Sequence, residues 1–395
     1  MPVELYFSNR IEQLAADLAA NLYPPQGEDR LALDPLRIVV PNRNLAKWLQ
    51  LTLARKQGVC MNVDYAYLDT ALWDLLVNMS PGEPPPMPVS QNIYALALLR
   101  VFEQLPEEEV IFGPIRGYLN RLGKQASSAN PAPTHALPAD TRRWQLARKL
   151  AHLFQEYELN RPEWPSAWRL GRFESGAMAV CQGHLYRRTL QVCEQVADGV
   201  GQPLWTLPQL AQRVLDQPPA PLEGTKDSRK PVVHIFGLSQ ISTFHTELIG
   251  RLRSWVDFRI YTLNPSADFW EDVRTPREKL RYAAGGAAAQ DLEQEGATDL
   301  FGVSDHPLLS LWGKPGREHI RNLCELSGYD FNATFPPPDW PDTILGRLQA
   351  SLLSLVDVDD APVAMAQDVS IQVVGCPGAL REVETVYERI LHQLE

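Results

Sequence analysis

The 395-residue sequence has no apolar run approaching the ~20 residues of a membrane-spanning helix, and its amino terminus lacks the pattern of a signal peptide. Both absences predict a cytoplasmic protein without a membrane segment. The five cysteines form no CxxC pair, so neither a disulfide framework nor a zinc site is indicated. Positive charge is also scarce, because 37 Lys and Arg oppose 48 Asp and Glu, for a net charge of -11. This balance excludes a protein that coats nucleic acid by overall charge, but it leaves room for a local basic groove.

Common catalytic motifs are missing as well. None of the eight histidines pairs at a metal-binding spacing such as HxxxH or HExxH, and no GxSxG nucleophile elbow is present. We therefore predict no metal site, no cofactor and no catalytic residue.

Two strand-turn-helix units open the sequence. Residues 3–8 read as a strand, Asn9 and Glu12 have the spacing of a helix cap, and apolar residues then recur at helical spacing. The run at 36–40, apolar apart from Arg37, predicts a strand buried in a parallel sheet, with a second helix after it. The β-α-β-α order predicts an α/β fold with a parallel sheet.

The middle of the chain has a different character. An aromatic-rich helix is predicted from Tyr65 to Asn78, and roughly residues 90–215 show helical patterns without a convincing strand. We interpret this stretch as an all-helical insertion, closed by a polar, proline-containing hinge at 216–231.

Strand patterns return after the hinge, at 232–238 and 258–264. Residues 282–300 are poor in large apolar side chains and predict a mobile loop. Near the end, a fresh strand at 371–377 precedes a helix with no closing element. We therefore expect the sequence to be a fragment whose second domain lacks most of its partners.

The first turn raises the question of a nucleotide site. An ATP-driven motor on this architecture needs a glycine-rich turn with a lysine, and a carboxylate pair after a later buried strand. The turn here is Ser8, Asn9 and Arg10, and no Asp or Glu occurs from Val232 to Ser242. Both halves of a nucleotide site are absent together. This indicates a strand-turn-helix unit placed like a phosphate loop but without the residues that bind phosphate and metal. An α/β unit with no phosphate-binding history explains the periodicity equally well.

Basic and aromatic residues occur near the predicted strand ends. Arg43 and Lys47 lie one helical turn apart beside Trp48, and Tyr67 and Trp73 follow shortly after. Ligands of open α/β sheets gather at the carboxyl ends of strands, and single-stranded nucleic acid is held by positive charge combined with stacking surfaces. In the alternative interpretation, both tryptophans belong to the core and both cations are ordinary surface charges.

Seven blocks resemble, in order, the amino-terminal part of the gamma chain of bacterial exodeoxyribonuclease V, the RecC family. They are LYFSNRIEQLAADLA, VVPNRNLAKWLQLTLARKQGVCMNVDY, LFQEYELNRPEW, VHIFGLSQIS, NPSADFWEDV, HPLLSLWGKPGREHI and LREVETVYERIL. The resemblance spans nearly the whole chain.

The resemblance implies a superfamily 1 helicase-like, parallel-sheet core that has lost ATPase activity and carries an inserted helical domain. Its parts would be the first half of core domain 1 at 1–78, the helical domain at 79–227, the second half of core domain 1 at 228–355, and a linker with the opening of core domain 2 at 356–395. Members of the family work beside a RecB-type helicase-nuclease chain and a RecD-type helicase chain. They split the duplex, guide the separated strands and scan one for the Chi signal, so the expected ligands are single-stranded and forked double-stranded DNA.

Carried onto this sequence, the family's strand-scanning surface falls at Arg43, Lys47, Tyr67, Trp73, Leu153, Gln155 and Arg161, with Pro41 and Leu207 nearby. The residues that match the family pattern are Trp73, Leu153 and Arg161. Those that depart from it are Pro41, Arg43, Lys47, Tyr67 and Leu207, and Gln155 replaces a carboxylate. Because base readout depends on the donors and acceptors of each side chain, recognition of the enterobacterial Chi octamer does not follow, and another signal or none is open.

Two other functions remain open. One is an active ATPase-nuclease chain of the related two-subunit type, which would need the glycines and lysine of a phosphate loop and would be detected by phosphate release. The other is a scaffold that docks helicase chains and barely contacts DNA. The acidic balance favours the scaffold, whereas Arg43, Lys47 and Arg161 favour DNA contact.

Overall fold

The computed structural model describes most of the chain. The described residues are 3–22, 36–80, 84–106, 109–125, 139–219, 230–275, 278, 306–336, 339–356 and 368–394. The loop predicted at 282–300 lies outside them, as does most of the hinge predicted at 216–231. The chain divides into two compact units, one formed by Met1–Leu263 and Glu318–Thr334, the other by Asn264–Arg317 and Phe335–Glu395.

A six-stranded parallel sheet forms the centre of the first unit. The described strands are β1 (Val3–Ser8), β2 (Leu36–Val39), β3 (Val63–Ala66), β4 (Met87–Pro88), β5 (Leu204–Trp205), β6 (Val232–Phe236), β7 (Asp257–Leu263) and β8 (Phe331–Ala333). The sheet order is β3-β2-β6-β7-β1-β8, and every pairing in it is parallel. The predicted α/β fold with a parallel sheet is confirmed.

Helices account for most of the remaining described residues. They are α1 (Ile11–Leu22), α2 (Arg43–Gln57), α3 (Leu68–Met79), α4 (Gln91–Glu103), α5 (Gly113–Gln125), α6 (Ala139–Asn160), α7 (Glu163–Arg169), α8 (Ala177–Val200), α9 (Leu207–Asp216), α10 (Thr243–Leu252), α11 (Pro307–Trp312), α12 (Lys314–Ser327), α13 (Ile344–Ser354) and α14 (Ala379–Leu394).

Apolar periodicity explains how α1 and α2 cover one face of the sheet. Leu14 and Leu18 lie one turn apart on α1, and Leu49 and Leu53 do so on α2; all four are fully buried. They pack in one core with strand residues that include Ile38. The sheet is thereby fixed on this side, and the carboxyl ends of its strands share one edge because all strands run the same way.

Helices α4 to α9 lie between β3 and β6 in chain order, and several of them share a second core within the first unit. Its largest fully buried side chains are aromatic: Tyr94 on α4, Phe154 on α6 and Tyr186 on α8. Their rings contact one another edge-on or tilted, with centroids 5.3 to 6.5 Å apart. These helices therefore have a core of their own, distinct from the one under the sheet.

The second unit is organised around a buried tryptophan. The indole nitrogen of Trp270 donates a 2.8 Å hydrogen bond to Oδ1 of Asn264. A Cβ at Gly313 would lie only 2.9 Å from the Trp270 ring, so glycine is needed for α11 and α12 to meet here. His306 and Ser351 add a buried contact of 2.8 Å between Nε2 and Oγ.

Four short strands were missed in the sequence, among them Met87–Pro88, which pairs with Leu204–Trp205. The helix predicted from Tyr65 is wrong at its start, because Val63–Ala66 pairs with β2 and the helix begins at Leu68. Leu204–Trp205 forms a two-residue strand inside the stretch predicted to lack strands, and Phe331–Ala333 extends the sheet beside β1. Segments this short show no decisive periodicity, and their partners lie far away in the chain.

Two local predictions are also wrong. Residues 371–377 form no strand; most are exposed, and no described strand lies alongside to accept or donate ladder hydrogen bonds. The cap predicted at Asn9 does not form either, since its buried Oδ1 atom has no hydrogen-bond partner in the described structure. Helix α1 begins two residues later, at Ile11.

Candidate nucleic-acid interface

The end of β2 presents two cations. After Pro41, the Asn42 side chain caps α2 by accepting a 2.9 Å hydrogen bond from the backbone N–H of Leu45. Arg43 is consequently the first residue of the helix, and Lys47 lies one turn further on. Both side chains are exposed, and neither forms an ion pair with any described residue. Their charges are available to an anionic ligand at the carboxyl edge of the sheet.

An exposed tyrosine lies at the neighbouring strand end. The N–H of Val40 donates a 3.0 Å hydrogen bond to the carbonyl of Ala66, which joins the ends of β2 and β3. Tyr67 follows directly, is 48% exposed and immediately precedes α3. The structure thus places Tyr67 on the same sheet edge as Arg43. Trp73 is half-buried on α3, whereas the alternative core role holds for Trp48, which packs on Phe236 with ring centroids 6.5 Å apart.

The remaining predicted site residues lie on the helices between β3 and β6. Leu153 and Gln155 are half-buried on α6, Leu207 is half-buried at the start of α9, and Arg161 is exposed just after α6. The guanidinium of Arg161 lies 5.8 Å from the ring centroid of Trp164, a cation-π contact.

Packing brings some of these elements together and not others. Helix α3 packs against α9, and α6 packs against α10, which follows β6. Trp73 and Leu207 therefore lie on contacting helices, and α6 reaches the sheet domain through α10. Among the described residues, no hydrogen bond or ring contact links the α6 residues to Arg43, Lys47 or Tyr67.

The first turn is closed by its own side chain. Ser8 is fully buried, and its hydroxyl accepts a 3.2 Å hydrogen bond from the N–H of Arg10. A phosphate loop must instead point successive backbone N–H groups at its ligand. Because Ser8 occupies this N–H and no lysine follows, the turn does not present the donors of a phosphate site.

The turn after β6 is neutral and tightly packed. Gly237 has φ +70, and a Cβ there would lie 2.7 Å from Cδ2 of Leu45 on α2. The carbonyl of Leu238 accepts a 2.9 Å hydrogen bond from Oγ1 of Thr262. The nearby His319 is buried, and desolvation lowers its pKa to about 4, partly opposed by a hydrogen bond to Leu238. The imidazole is therefore neutral at physiological pH. No Asp or Glu occurs from Val232 to Ser242 either, so this turn lacks the carboxylates of an ATP site.

Two polar clusters escaped the sequence reasoning. The first joins helices beside the strand edge: Oδ1 of Asp69 lies 2.7 Å from Nε2 of His245, although the contact lacks hydrogen-bond geometry. The Nδ1 atom of His245 lies 2.8 Å from Oγ of Ser242. This set resembles a Ser-His-Asp triad, but the same Ser242 oxygen caps α10 by accepting from the N–H of His245. Its evident role is structural, and only the capping spacing was visible in the sequence.

The second cluster surrounds a buried carboxylate in the helical core. Oε1 of Glu158 accepts hydrogen bonds from the hydroxyls of Tyr94, at 2.5 Å, and Tyr186, at 2.7 Å. Desolvation raises the pKa of Glu158 to about 7, although both tyrosine hydrogen bonds act in the opposite direction. No signal in the sequence connects these residues, which come from three different helices.

The described residues contain neither a cluster of metal-binding side chains nor a membrane-spanning helix. Nowhere in that part of the chain do three or more His, Cys, Asp or Glu side chains gather as ligands for an ion. None of its helices combines the length and apolar character required to cross a bilayer.

Comparison with known proteins decides the family. The family described as RecC, N-terminal domain, matches residues 3–355. The chain belongs to the RecC family. The resemblance drawn from the seven sequence blocks is thereby confirmed.

Several relatives are RecC proteins of other bacteria. The chain is 27% identical to the RecBCD enzyme subunit RecC of Escherichia coli K12 over 425 residues, an alignment that covers 100% of this chain and 35% of that protein. It is 24% identical to the RecBCD enzyme subunit RecC of Haemophilus influenzae, with 98% and 36% covered, and 25% identical to that of Mycolicibacterium smegmatis, with 99% and 31% covered. The chain spans about a third of the length of these relatives.

Proposed function

We propose that this chain is a non-catalytic, DNA-handling part of a RecBCD-type helicase-nuclease that acts in double-strand-break repair and recombination in the cytoplasm. It guides the separated strands of forked duplex DNA and scans single-stranded DNA for a Chi-like signal. The ATPase and nuclease activities lie on its partners, a RecB-type helicase-nuclease chain and a RecD-type helicase chain. Membership of the RecC family supports this proposal.

The proposed architecture is an ATPase-dead helicase-like core whose two halves, 1–78 and 228–355, flank a helical domain at 79–227, with core domain 2 opening at 356–395. The sheet order supports this arrangement, because β2 and β6 are hydrogen-bonded neighbours although α4 to α9 separate them in the chain. The occupied N–H of Arg10 and the neutral turn at Gly237 support the loss of nucleotide chemistry.

The free cations at the strand edge carry the DNA-binding proposal. Arg43 and Lys47 are exposed and unpaired at the start of α2, and Tyr67 extends from the adjacent strand end. Positive charge beside an exposed aromatic ring is what single-stranded DNA requires, since the backbone binds the cations and bases stack on the ring. We assign the path of the strand to Arg43, Lys47, Tyr67, Trp73, Leu153, Gln155 and Arg161.

The test is titration of the chain into a labelled single-stranded oligonucleotide, followed by fluorescence anisotropy at low and moderate salt. The double variant Arg43→Glu/Lys47→Glu is expected to lose most of its affinity. Removing two phosphate contacts would also reduce the slope of log K against log salt by about 1.4.

Helix α2 supplies a matched control. Arg55 and Lys56 are exposed in its last turn, about 18 Å along the axis from Arg43 by the rise of an α-helix. The variant Arg55→Glu/Lys56→Glu has the same change in charge and is expected to bind DNA nearly as the wild type does. Equal losses of DNA affinity in both double variants would mean that overall charge causes the effect, and would contradict the proposed site.

A scaffold that docks the helicase chains and barely contacts DNA is the second candidate, favoured by the net charge of -11. It predicts no binding to the oligonucleotide even at low salt, with subunit assembly intact. Salt-sensitive, saturable binding that depends on Arg43 and Lys47 would instead favour the DNA-handling function.

A further inference from the structure

An open apolar groove lies between α4 and α8, and none of the residues assigned above to DNA lines it. Its volume is about 340 Å³, and eleven of the described residues line it. Ile93, Leu96 and Ala97 form the ridge on α4, at the i, i+3, i+4 spacing that aligns side chains on one helix face. Val196 and Val200, one turn apart, belong to the facing ridge on α8.

The exposed fractions of these side chains are large for aliphatic residues. Leu96 is 59% exposed, Val196 is 48% exposed and Val200 is 66% exposed. Helix α4 already buries Tyr94 and Leu98 in the helical core. It is therefore apolar on a second face that the described residues of its domain leave exposed, as is typical of a surface that buries another chain.

The charge at the groove restricts what can bind there. Among the described residues that line it, Arg100 alone is charged; it is exposed and forms no ion pair with a described residue. A ligand that fills the apolar channel can therefore satisfy this guanidinium with a carboxylate. A polyanion such as DNA is poorly matched, because one cation beside an aliphatic floor offers neither a charged track nor an aromatic stacking surface.

We propose that this groove binds an amphipathic helix of a partner protein. The helix would present apolar residues at i, i+3 or i+4, and i+7 to the two ridges, with an Asp or Glu positioned to reach Arg100. A second copy of the chain is a poorer fit, since stable pairs use ~20–30 residues a side and the groove has eleven. The inference rests on the proposed function in one respect, namely that the chain is a subunit of a larger complex.

The test uses the full chain with the RecB-type and RecD-type chains of the same organism. The double variant Leu96→Glu/Val196→Glu puts two carboxylates into the groove and opposite any acidic partner residue. We expect its affinity for one of the two chains to fall by about 30-fold or more, the loss produced by removing a binding hot spot. Biolayer interferometry with each purified chain gives the affinity, and circular dichroism checks the fold.

The matched control is Val110→Glu/Leu170→Glu. Val110 and Leu170 are 87% and 72% exposed, and neither lines the groove. This variant is expected to bind both chains as the wild type does. At the rim, Arg100→Glu is expected to weaken the same interaction, and Arg100→Lys is expected to preserve most of it.

Three outcomes would overturn the inference. In the first, the folded double variant binds both chains with unchanged affinity. In the second, analytical ultracentrifugation shows that the chain alone is a dimer which this variant dissociates, so that a second copy occupies the groove. In the third, the wild-type chain binds neither partner, which defeats the subunit role itself. Since this last result appears with the wild type and the first only with the variant, the two failures are distinguishable.

Discussion

The Asp69 carboxylate lies 2.7 Å from Nε2 of His245 and joins the first turn of α3 to the first turn of α10. These helices follow β3 and β6, the two strands that flank β2 in the sheet. The contact therefore connects the elements on either side of the strand end that carries Arg43.

A double-mutant cycle would measure this contact. For Asp69→Ala and His245→Gln we expect a coupling of about 0.5–1 kcal/mol in the free energy of unfolding, kept small by the 63% exposure of the Asp69 side chain. Urea denaturation of the two single variants, the double variant and the wild type gives the value. The exposed Glu247 on the same helix is the control, since Glu247→Ala should change stability by less than ~0.5 kcal/mol. Strictly additive single effects would contradict the coupling.

Tyr67 should contribute to DNA binding by stacking. Replacement of an aromatic platform costs ~1–3 kcal/mol per stacked base, so Tyr67→Ala is expected to weaken oligonucleotide binding by roughly 5- to 150-fold. Tyr67→Phe keeps the ring and should bind nearly as the wild type does. Tyr118 is 43% exposed, close to the 48% of Tyr67, so Tyr118→Ala is a matched control in the anisotropy assay. Equal effects of both alanine variants would argue against a stacking role for Tyr67.

Gly237 should tolerate no side chain. Gly237→Ala forces a Cβ into the left-handed region at φ +70 and to within 2.7 Å of Cδ2 of Leu45. The backbone conformation alone costs roughly 1–2 kcal/mol, and the clash adds to it. Gly201 provides the control, because its φ of +71 and ψ of +23 are left-handed and a Cβ there would meet nothing within 4 Å. Thermal unfolding should show a larger loss for Gly237→Ala than for Gly201→Ala; equal losses would mean that Leu45 moves aside freely.

The pH dependence of stability should reveal Glu158. Its folded-state pKa is raised from 4.5 to about 7 by burial, so the folded protein retains a proton that the unfolded chain has already released. Stability from this group is complete below the unfolded pKa and is lost as the pH rises through about 7. The shift corresponds to about 3 kcal/mol in total, as an order of magnitude.

The check is urea denaturation of the wild type and Glu158→Gln at intervals between pH 4.5 and 8. Subtracting the two curves removes the contribution of every other titrating group. We expect the wild type to lose stability with rising pH relative to the variant, most steeply between the unfolded-state pKa of 4.5 and the folded-state pKa of about 7, and to level off above that range. Tyr94→Phe should leave Glu158 with one tyrosine donor and raise its pKa further, because that hydrogen bond lowers it. Parallel pH curves for wild type and Glu158→Gln would contradict the assignment.

Local pattern predicted the longer elements correctly. The strands at 36–39 and 232–236 were recognisable because each is apolar but for one residue, as in a sheet covered on both faces, and the strand at 257–263 because β-branched and aromatic residues recur along it. The exposed three-residue strand Phe331–Ala333 was not, because it has no buried face to give it a pattern. The apolar segment 371–377 had the composition of a strand but finds no described neighbour with which to pair.

The residues of the candidate site also divide into those that local sequence pattern could place and those that it could not. Arg43 and Lys47 could be placed from sequence because their four-residue spacing and the preceding strand fix their face and position. Leu153, Gln155 and Arg161 came only from the family resemblance, and their relation to the sheet depended on α6 packing against α10. Glu158 lay three residues from Gln155 and went unnoticed, because its partners Tyr94 and Tyr186 are on other helices.

The sequence by itself determined the α/β class, the positions of the long strands and helices, the missing glycine-lysine turn and membership of the RecC family. These features depend on periodicity, turn chemistry and residue order within short stretches of chain. Tertiary structure alone decided that β2 lies beside β6, that Asp69 meets His245, that Glu158 is buried between two tyrosines, and that α4 and α8 leave an apolar groove open. Each of these depends on contacts between segments far apart in the chain, and such contacts leave no periodic trace in either segment.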